Sequence, residues 1–406
     1  MANILWLSHF VPYPPVGGCF QRSYSLIKEV ARKNNVYLVA LKHKESTHPK
    51  YEIKKAREEL EKFCSKVFIT EISSFSVLNL YLLAFKSIFS MDPLTVNLFK
   101  TDQMHNLVKK LTKDIKFDIA HFDTISLVEY FHDTVDIPKF LCHHNIESFM
   151  MKRRIKNEKC LLKKLYLNIE SYKLLQYEKK YCHKFLLNIV VSEDDKILLN
   201  KISPSSRIEV VENGVDVNYF LPKDNHINTN KLIFAGRLDQ YSNRDAILHF
   251  CMNVWPLIKE RFPEMRFSII GNNPPPKLLE IAKKDERIEI LGYVDDVRPF
   301  FAKATISVCP LRDGGGTRLK ILDAMAMGMP IISTNIGCEG IDVTTGENVL
   351  IANTSEDFVE CIEKITINYN LRKNLSIFAR RTAENKYSWN IIGEKLSNYF
   401  SNSMNQ

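Results

Sequence analysis

The chain predicts an α/β architecture of two doubly wound halves, on three observations. Short apolar runs alternate with helical patterns from end to end, as parallel strands joined by crossover helices require. The alternation begins afresh at Leu232, after a polar, patternless stretch (residues 218–231) that reads as a linker. Finally, 406 residues are too many for one ordinary core and suit two domains.

In the first half, strands are expected at Ile4–Ser8, Asn35–Ala40, Lys66–Ile69, Ile119–Phe122, Lys139–Cys142 and Asn188–Val191. Helices are expected near 22–32 and 53–63, with a long helical region over 147–184. In the second half, strands follow at Leu232–Ala235, Arg266–Ile270, Ile288–Leu291, Ile306–Cys309 and Pro330–Ser333, with helices near 243–261, 276–284 and 318–327. Tyr387-Ser388-Trp389, followed by Ile391, Ile392, Leu396 and Phe400, reads as a closing amphipathic helix. Open α/β sheets bind ligands outside the carboxyl ends of their strands, so the two halves are expected to face a central cleft.

A content of 45% hydrophobic and 25% charged residues is that of a globular protein. The nine cysteines are scattered singly, with no C-x-x-C pair, which argues for a reducing compartment and against a disulfide framework or a zinc site. Met1–Leu7 reads as a first strand rather than a signal peptide. No run reaches the roughly 18 apolar residues of a membrane span; the nearest, Val77–Phe89, is interrupted by Asn79 and Lys86.

Charge is unevenly spread. Between Lys152 and Lys184, eleven lysines and arginines face three acids (Glu158, Glu170, Glu178), interleaved with leucines and tyrosines. Such a helix reads as a membrane-surface element, a nucleic-acid patch or a solvated face packed on its own domain. No RNA-binding motif accompanies it, so nucleic acid ranks last.

The most informative stretch is residues 314–330, Gly-Gly-Gly-Thr-Arg-Leu-Lys-Ile-Leu-Asp-Ala-Met-Ala-Met-Gly-Met-Pro. A glycine loop that follows a strand and opens a helix makes an anion site, because unpaired N–H groups and the helix dipole both point at the ligand. Arg318 and Lys320 add two cations in the first turn, where they oppose the helix dipole. A bound anion accounts for them; a solvated first turn is the alternative.

This segment resembles the nucleotide-sugar-binding motif of the GT-B glycosyltransferases of the group 1, or GT4-like, family. The bacterial sugar transferases whose loop reads Gly-x-Gly-x-Arg-x-Lys are the most similar in flavour, and Gly314 to Lys320 follow that pattern. Further landmarks come in the family's order: Asn213-Gly214-Val215-Asp216, Phe234-Ala235-Gly236-Arg237-Leu238, Phe267-Ser268-Ile269-Ile270-Gly271 and Leu291-Gly292-Tyr293-Val294. The resemblance implies a GT-B fold of two Rossmann-like domains: residues 1–212, with a helix over 388–406 returning to it, on the acceptor side, and 213–387 holding the donor.

It also implies roles. Arg237 and Lys320 would face the donor diphosphate and act in catalysis with His144, which would contact the transferred sugar; His143 is the second choice. Gly17 and Gly18, after a proline-rich loop, resemble the family's N-terminal glycine loop, although such a pair is often only a turn. Gly315, Gly316, Thr317, Arg318 and Glu339 would line the donor, and Asp323 would hydrogen-bond its ribose. The family's lysine about five residues after the first arginine is absent from Asp239–Arg244, leaving Lys320 or Arg244 to replace it, with Lys320 favoured. Its partner glutamate, eight residues before Asp323, falls at Gly315; Asp313 is the nearest carboxylate.

No Asp-x-Asp suggests a divalent-metal site, so neither metal nor cofactor is expected, and leaving charge must be met by side chains and N–H groups. The expected activity is retaining transfer from a nucleoside-diphosphate sugar to a saccharide or lipid-linked acceptor in cell-surface polysaccharide synthesis. The expected location is cytoplasmic, with peripheral contact at the inner face of an anionic membrane. A catalytically silent binding or scaffold subunit and a sugar-nucleotide 2-epimerase are the alternatives. A nicotinamide dehydrogenase is disfavoured, since no G-x-G-x-x-G follows the first strand.

Overall fold

The computed structural model describes residues 1–42, 53–72, 77–158, 160–222, 230–313 and 318–404, leaving aside the side chains of 77–81 and 157. The chain divides into two compact units, Met1–Glu212 with Ile392–Gln406, and Asn213–Ile391. The crossing at Glu212 precedes the stretch read as a linker. Residues 223–229 of that stretch lie outside the described residues, and Lys231 already opens a strand.

The first unit is built on seven strands: β1 (Asn3–Ser8), β2 (Asn35–Lys42), β3 (Lys66–Glu71), β4 (Ile119–Phe122), β5 (Lys139–Cys142), β6 (Leu187–Val190) and β7 (Ile208–Val210). They are all parallel, in the order β3-β2-β1-β4-β5-β6-β7. Its helices are α1 (Gly18–Val30), α2 (Ile53–Glu61), α3 (Val77–Phe89), α4 (Leu94–Phe99), α5 (Asp102–Asp114), α6 (Glu147–Asn157), α7 (Leu161–Tyr181) and α8 (Glu193–Ile202). Helices over a parallel sheet leave no wet face, so β1 and β4 are buried without alternation, and Ile4, Leu5, Trp6 and Leu7 are wholly buried.

The second unit has β8 (Lys231–Ala235), β9 (Arg266–Ile270), β10 (Ile288–Gly292), β11 (Ile306–Cys309), β12 (Ile331–Ser333) and β13 (Leu350–Ile351). These too are parallel, ordered β10-β9-β8-β11-β12-β13. Its helices are α9 (Tyr241–His249), α10 (Trp255–Arg261), α11 (Pro276–Lys284), α12 (Arg298–Phe301), α13 (Leu319–Ala326), α14 (Ser355–Ile367) and α15 (Tyr369–Lys386). A last helix, α16 (Trp389–Met404), begins in this unit, and from Ile392 onward belongs to the first, where Phe400 packs edge-on to Phe140.

Strand order reverses between β1 and β4 in one sheet and between β8 and β11 in the other. At such a reversal the connections leave toward opposite faces, opening a crevice beyond the strand ends. The residues placed there are Ser8 to Phe10 and Asp123 in the first unit, and Gly236, Arg237 and Leu311 to Asp313 in the second.

Several elements differ from expectation. The helix expected over 243–261 is α9, a π turn at Phe250–Val254 and α10. Pro256, in the first turn of α10, lacks the N–H that an unbroken α ladder would need there. The helical region over 147–184 is two helices, parted by extended backbone at Glu158 and Cys160. Edge strands β7 and β13, of three and two residues, are too short to show a period. Helices α5, α8 and α14, which Thr101, Ser192 and Thr354 cap through their side chains, are not among the expected helices.

Two carboxylates of α7 turn inward. Glu170 accepts from the Leu94 N–H at 2.7 Å and the Ser87 hydroxyl at 3.1 Å. Glu178 accepts from the Ser148 N–H at 3.1 Å and the Ser148 hydroxyl at 2.5 Å. Burial raises the Glu178 pKa to about 7, against the opposing hydrogen bonds from Ser148. Because the folded value lies above the ordinary 4.5, the unfolded chain ionises first as pH rises, and stability from this group falls between about 4.5 and 7. A shift of this size corresponds to about 3 kcal/mol. Glu178→Gln keeps the shape without the charge, so its melting temperature is expected to fall less than that of the parent between pH 5 and pH 7.5 in parallel thermal scans. Equal falls would show that Glu178 does not titrate in that window.

Candidate functional site

The second unit concentrates its chemistry at the reversal between β8 and β11. Lys320, in the first turn of α13, extends its ammonium to 2.5 Å from Asn243 Oδ1 and 4.6 Å from the centroid of the Phe234 ring on β8. Asn243 is buried on α9; its amide nitrogen donates to the Arg237 carbonyl at 2.8 Å, at the end of the same strand. Gly236 lies beneath: a β-carbon there would sit 2.7 Å from Lys320 Nζ and 3.2 Å from Asn243 Nδ2. A side chain at this position would displace the ammonium from where it now sits. Burial lowers the Lys320 pKa to about 8; nearby Cys309 opposes the shift and the Arg318 charge adds to it.

One turn further along α13, the Asp323 Oδ1 is buried with no hydrogen-bond partner among the described residues. Burial raises its pKa to about 7. Arg318, the N-cap residue of α13, has its guanidinium 3.9 Å from the Glu339 carboxylate, so these two expected site residues come together. Arg237 behaves differently. Its side chain is 60% exposed and forks onto its neighbour Asp239 at 3.2 and 2.6 Å. It meets Lys320 only through Asn243, by its backbone. Gly315, Gly316 and Thr317 lie outside the described residues. Arg312, just before that loop, makes a two-pronged pair with Asp245 of α9 at 2.9–3.1 Å.

In the first unit the reversal holds an anion. Asp123, buried beyond β4, accepts from Ser23 Oγ at 2.7 Å and Ser8 Oγ at 3.4 Å. Its other oxygen lies 3.4 Å from His144 Nε2. Burial acts to raise this carboxyl, but His144, His9 and His121 outweigh it and hold the pKa at about 2. His144 thus stands over a fixed negative charge, with the His9 ring 6.0 Å away. His143 points the other way, with Nε2 3.2 Å from Asn188 Oδ1 on β6, and burial lowers its pKa to about 4. It is a core imidazole. Gly17 has φ of 96° and caps α1, whose first residue is Gly18.

His121, Asp123 and Cys142 offer ligand atoms within 4.8 Å of one another. The Arg22 guanidinium lies 4.0 Å from Cys142 Sγ, so a cation already faces this group and a metal is poorly matched to it.

Residues 229–368 match the family model for Glycosyl transferases group 1. Over these residues the second unit is similar to the group 1 glycosyl transferases. The chain is 27% identical over 246 residues to an uncharacterized 44.6 kDa protein in the cps region of Klebsiella pneumoniae, covering 59% of this chain and 60% of the relative. It is 22% identical over 243 residues to the capsular polysaccharide biosynthesis glycosyltransferase CapM of Staphylococcus aureus, covering 56% and 64%. The chain therefore matches about 60% of the length of these curated relatives. Solved structures share the fold over nearly the whole chain. Sucrose-phosphate synthase from Thermosynechococcus elongatus superposes with a TM-score of 0.71 at 14% identity, covering 99% of both chains. Anabaena HepE in complex with UDP and glucose does so with 0.64 at 14%, covering 99% and 100%. The fold is GT-B.

In the second unit, sequence reasoning gives Asn243 no role, although it occupies the stretch where the expected lysine is missing. Asp123 and Ser23 of the first unit were also passed over. Asp123 carried a usable signal, a carboxylate one step beyond an apolar strand; Ser23 carried none. The Asn243–Lys320 geometry predicts how the site titrates. Above pH 8 the ammonium loses its proton, so affinity for nucleoside diphosphates, followed calorimetrically with UDP, GDP and ADP, should fall as pH rises from 7 to 9. Lys320→Ala should remove that slope and weaken binding at least tenfold at pH 7, since each charge-assisted hydrogen bond is worth roughly 1.5–3 kcal/mol. Asn243→Asp should move the slope to higher pH by stabilising the ammonium. A slope that survives in Lys320→Ala would assign the titration elsewhere.

Proposed function

We propose that this chain is a retaining glycosyltransferase that moves a sugar from a nucleoside-diphosphate sugar to a saccharide or lipid-linked acceptor in cell-surface polysaccharide synthesis. The observation that carries the reading is Lys320. Its ammonium is drawn out of water at the sheet reversal, yet its hydrogen-bond acceptor is a neutral amide. An uncompensated, desolvated cation beside a helix N-terminus suits a diphosphate, whose departure needs preorganised positive charge. Asp323 supplies a carboxyl for a ligand hydroxyl such as that of a ribose. Arg237 joins Lys320 at the diphosphate by leaving Asp239, an exposed pair that holds it weakly. His144, oriented by Asp123, contacts the transferred sugar.

The names of the relatives support the biological setting, one lying in a cps region and another serving capsular polysaccharide biosynthesis. The HepE complex, described with UDP and glucose, supports a nucleotide-sugar donor. The proposed chemistry is metal-independent and uses no cofactor beyond the donor. Gly315 stands where the family's partner glutamate would be, which favours one second reading: a subunit that binds the donor without turnover.

Binding and release of nucleoside diphosphate across a panel of nucleotide-sugars tests both readings. Turnover of one donor with its acceptor supports the enzyme, and tight binding with no turnover on any acceptor supports the silent subunit. With the active donor in hand, activity should persist in excess chelator. Loss on chelation and recovery with magnesium or manganese would refute the side-chain electrostatic account.

A further inference from the structure

The surroundings of α7 divide it into two parts. From Glu170 onward its inner face is buried, with Glu170, Ser171, Leu174, Tyr177 and Glu178. Its first turns stand free. Leu161, Leu162 and Leu165 are 81%, 80% and 62% exposed, so their apolar character is not explained by packing within the unit. Helix α3 adds Phe85 and Phe89, 61% and 79% exposed, with ring centroids 5.6 Å apart. The two helices meet where Ser87 Oγ lies 3.1 Å from the Tyr166 hydroxyl, so these apolar groups share one region.

The charge there is one-sided. Glu170 and Glu178 are turned into the core, which removes two of the three acids of 152–184 from the surface. The third, Glu158, is paired with Lys163 at 2.7 Å. Lys152, Arg154 and Lys156 remain exposed on α6, with Lys164 half-exposed on α7. An exposed apolar patch whose rim carries a surplus of cations among the described residues fits an anionic lipid surface: apolar side chains enter the boundary between headgroups and acyl chains while the cations meet the headgroups. A second copy of the same face would bring like charges together. No helix among the described residues is long and apolar enough to cross a membrane, so contact through these helices would be at the surface.

We propose that this face of the first unit, Leu161, Leu162 and Leu165 with Phe85 and Phe89, docks on an anionic lipid bilayer. The inference stands independently of the transfer reaction. Sedimentation of the full chain with phosphatidylcholine vesicles, with and without phosphatidylglycerol, tests it. Binding is expected to require phosphatidylglycerol and to weaken as salt shortens the Debye length from about 8 Å. Each engaged cation contributes about fivefold in affinity, so Lys156→Glu with Lys164→Glu should lower binding at least tenfold. Leu162→Ser with Leu165→Ser, and separately Phe85→Ser, should also lower it while leaving the thermal melt unchanged, because these side chains are exposed. Equal partitioning onto both vesicle types, or none onto either, would overturn the proposal. So would a dimer in solution that Leu162→Ser with Leu165→Ser dissolves without affecting lipid binding, since that would give the face to a second copy.

Discussion

A lysine ammonium held by a neutral amide at the reversal of the second sheet is the constraint on which its surroundings depend. Had Asn243 been a carboxylate, the charge of Lys320 would be neutralised within the fold; the amide leaves it available. The consequences spread outward. A β-carbon at position 236 would push Lys320 Nζ out of the space it takes. Asn243, being buried, must satisfy its own nitrogen, and does so on the Arg237 carbonyl, fixing the end of β8. Two residues along the same helix, Asp245 grips Arg312 beyond β11. Helix α9 thereby fastens both strand ends that flank the reversal, with neither side chain offering the cation a full counter-charge.

The first unit repeats this arrangement with the sign changed. Its reversal holds a buried carboxylate, Asp123, kept ionised by surrounding imidazoles and two hydroxyls. Burial alone would push this group toward neutrality; the three histidines reverse that outcome. The carboxylate in turn gives His144 an orientation that His143, bound to Asn188 in the core, does not share. Neighbouring histidines on one strand end thus meet opposite environments, because successive side chains leave the chain on opposite sides.

Much of the fold was legible because a parallel sheet covered on both faces writes its strands as unbroken apolar runs. Central strands β1, β4, β9 and β11 stand out for that reason, while β7 and β13, short edge strands, leave too few residues to register. Helix breaks were harder. The π turn at Phe250–Val254 follows from Pro256 only once the helix is known to continue past it. At the site, Lys320 and Asp323 were readable from motif and spacing. Asn243 was not, because its importance lies in a contact across 77 residues of sequence with Lys320. The character of α7 was also undecidable from sequence. Leucines among lysines describe a docked helix and a free one equally well, and only the inward turn of Glu170 and Glu178 separates its buried half from its exposed half.

Lys320 and Asp323, one turn apart on α13, are both pushed by burial toward neutrality, the lysine down to about 8 and the aspartate up to about 7. A helical pair three residues apart would ordinarily relieve both shifts by pairing. Here the lysine has turned instead to Asn243, and Asp323 Oδ1 has no hydrogen-bond partner among the described residues. A buried ammonium held by a neutral amide and a buried carboxyl oxygen with no partner among the described residues fit the donor site proposed above. Under that proposal the donor presents an anion to one and a hydroxyl to the other. A nucleoside diphosphate carries both on a single frame, diphosphate and ribose.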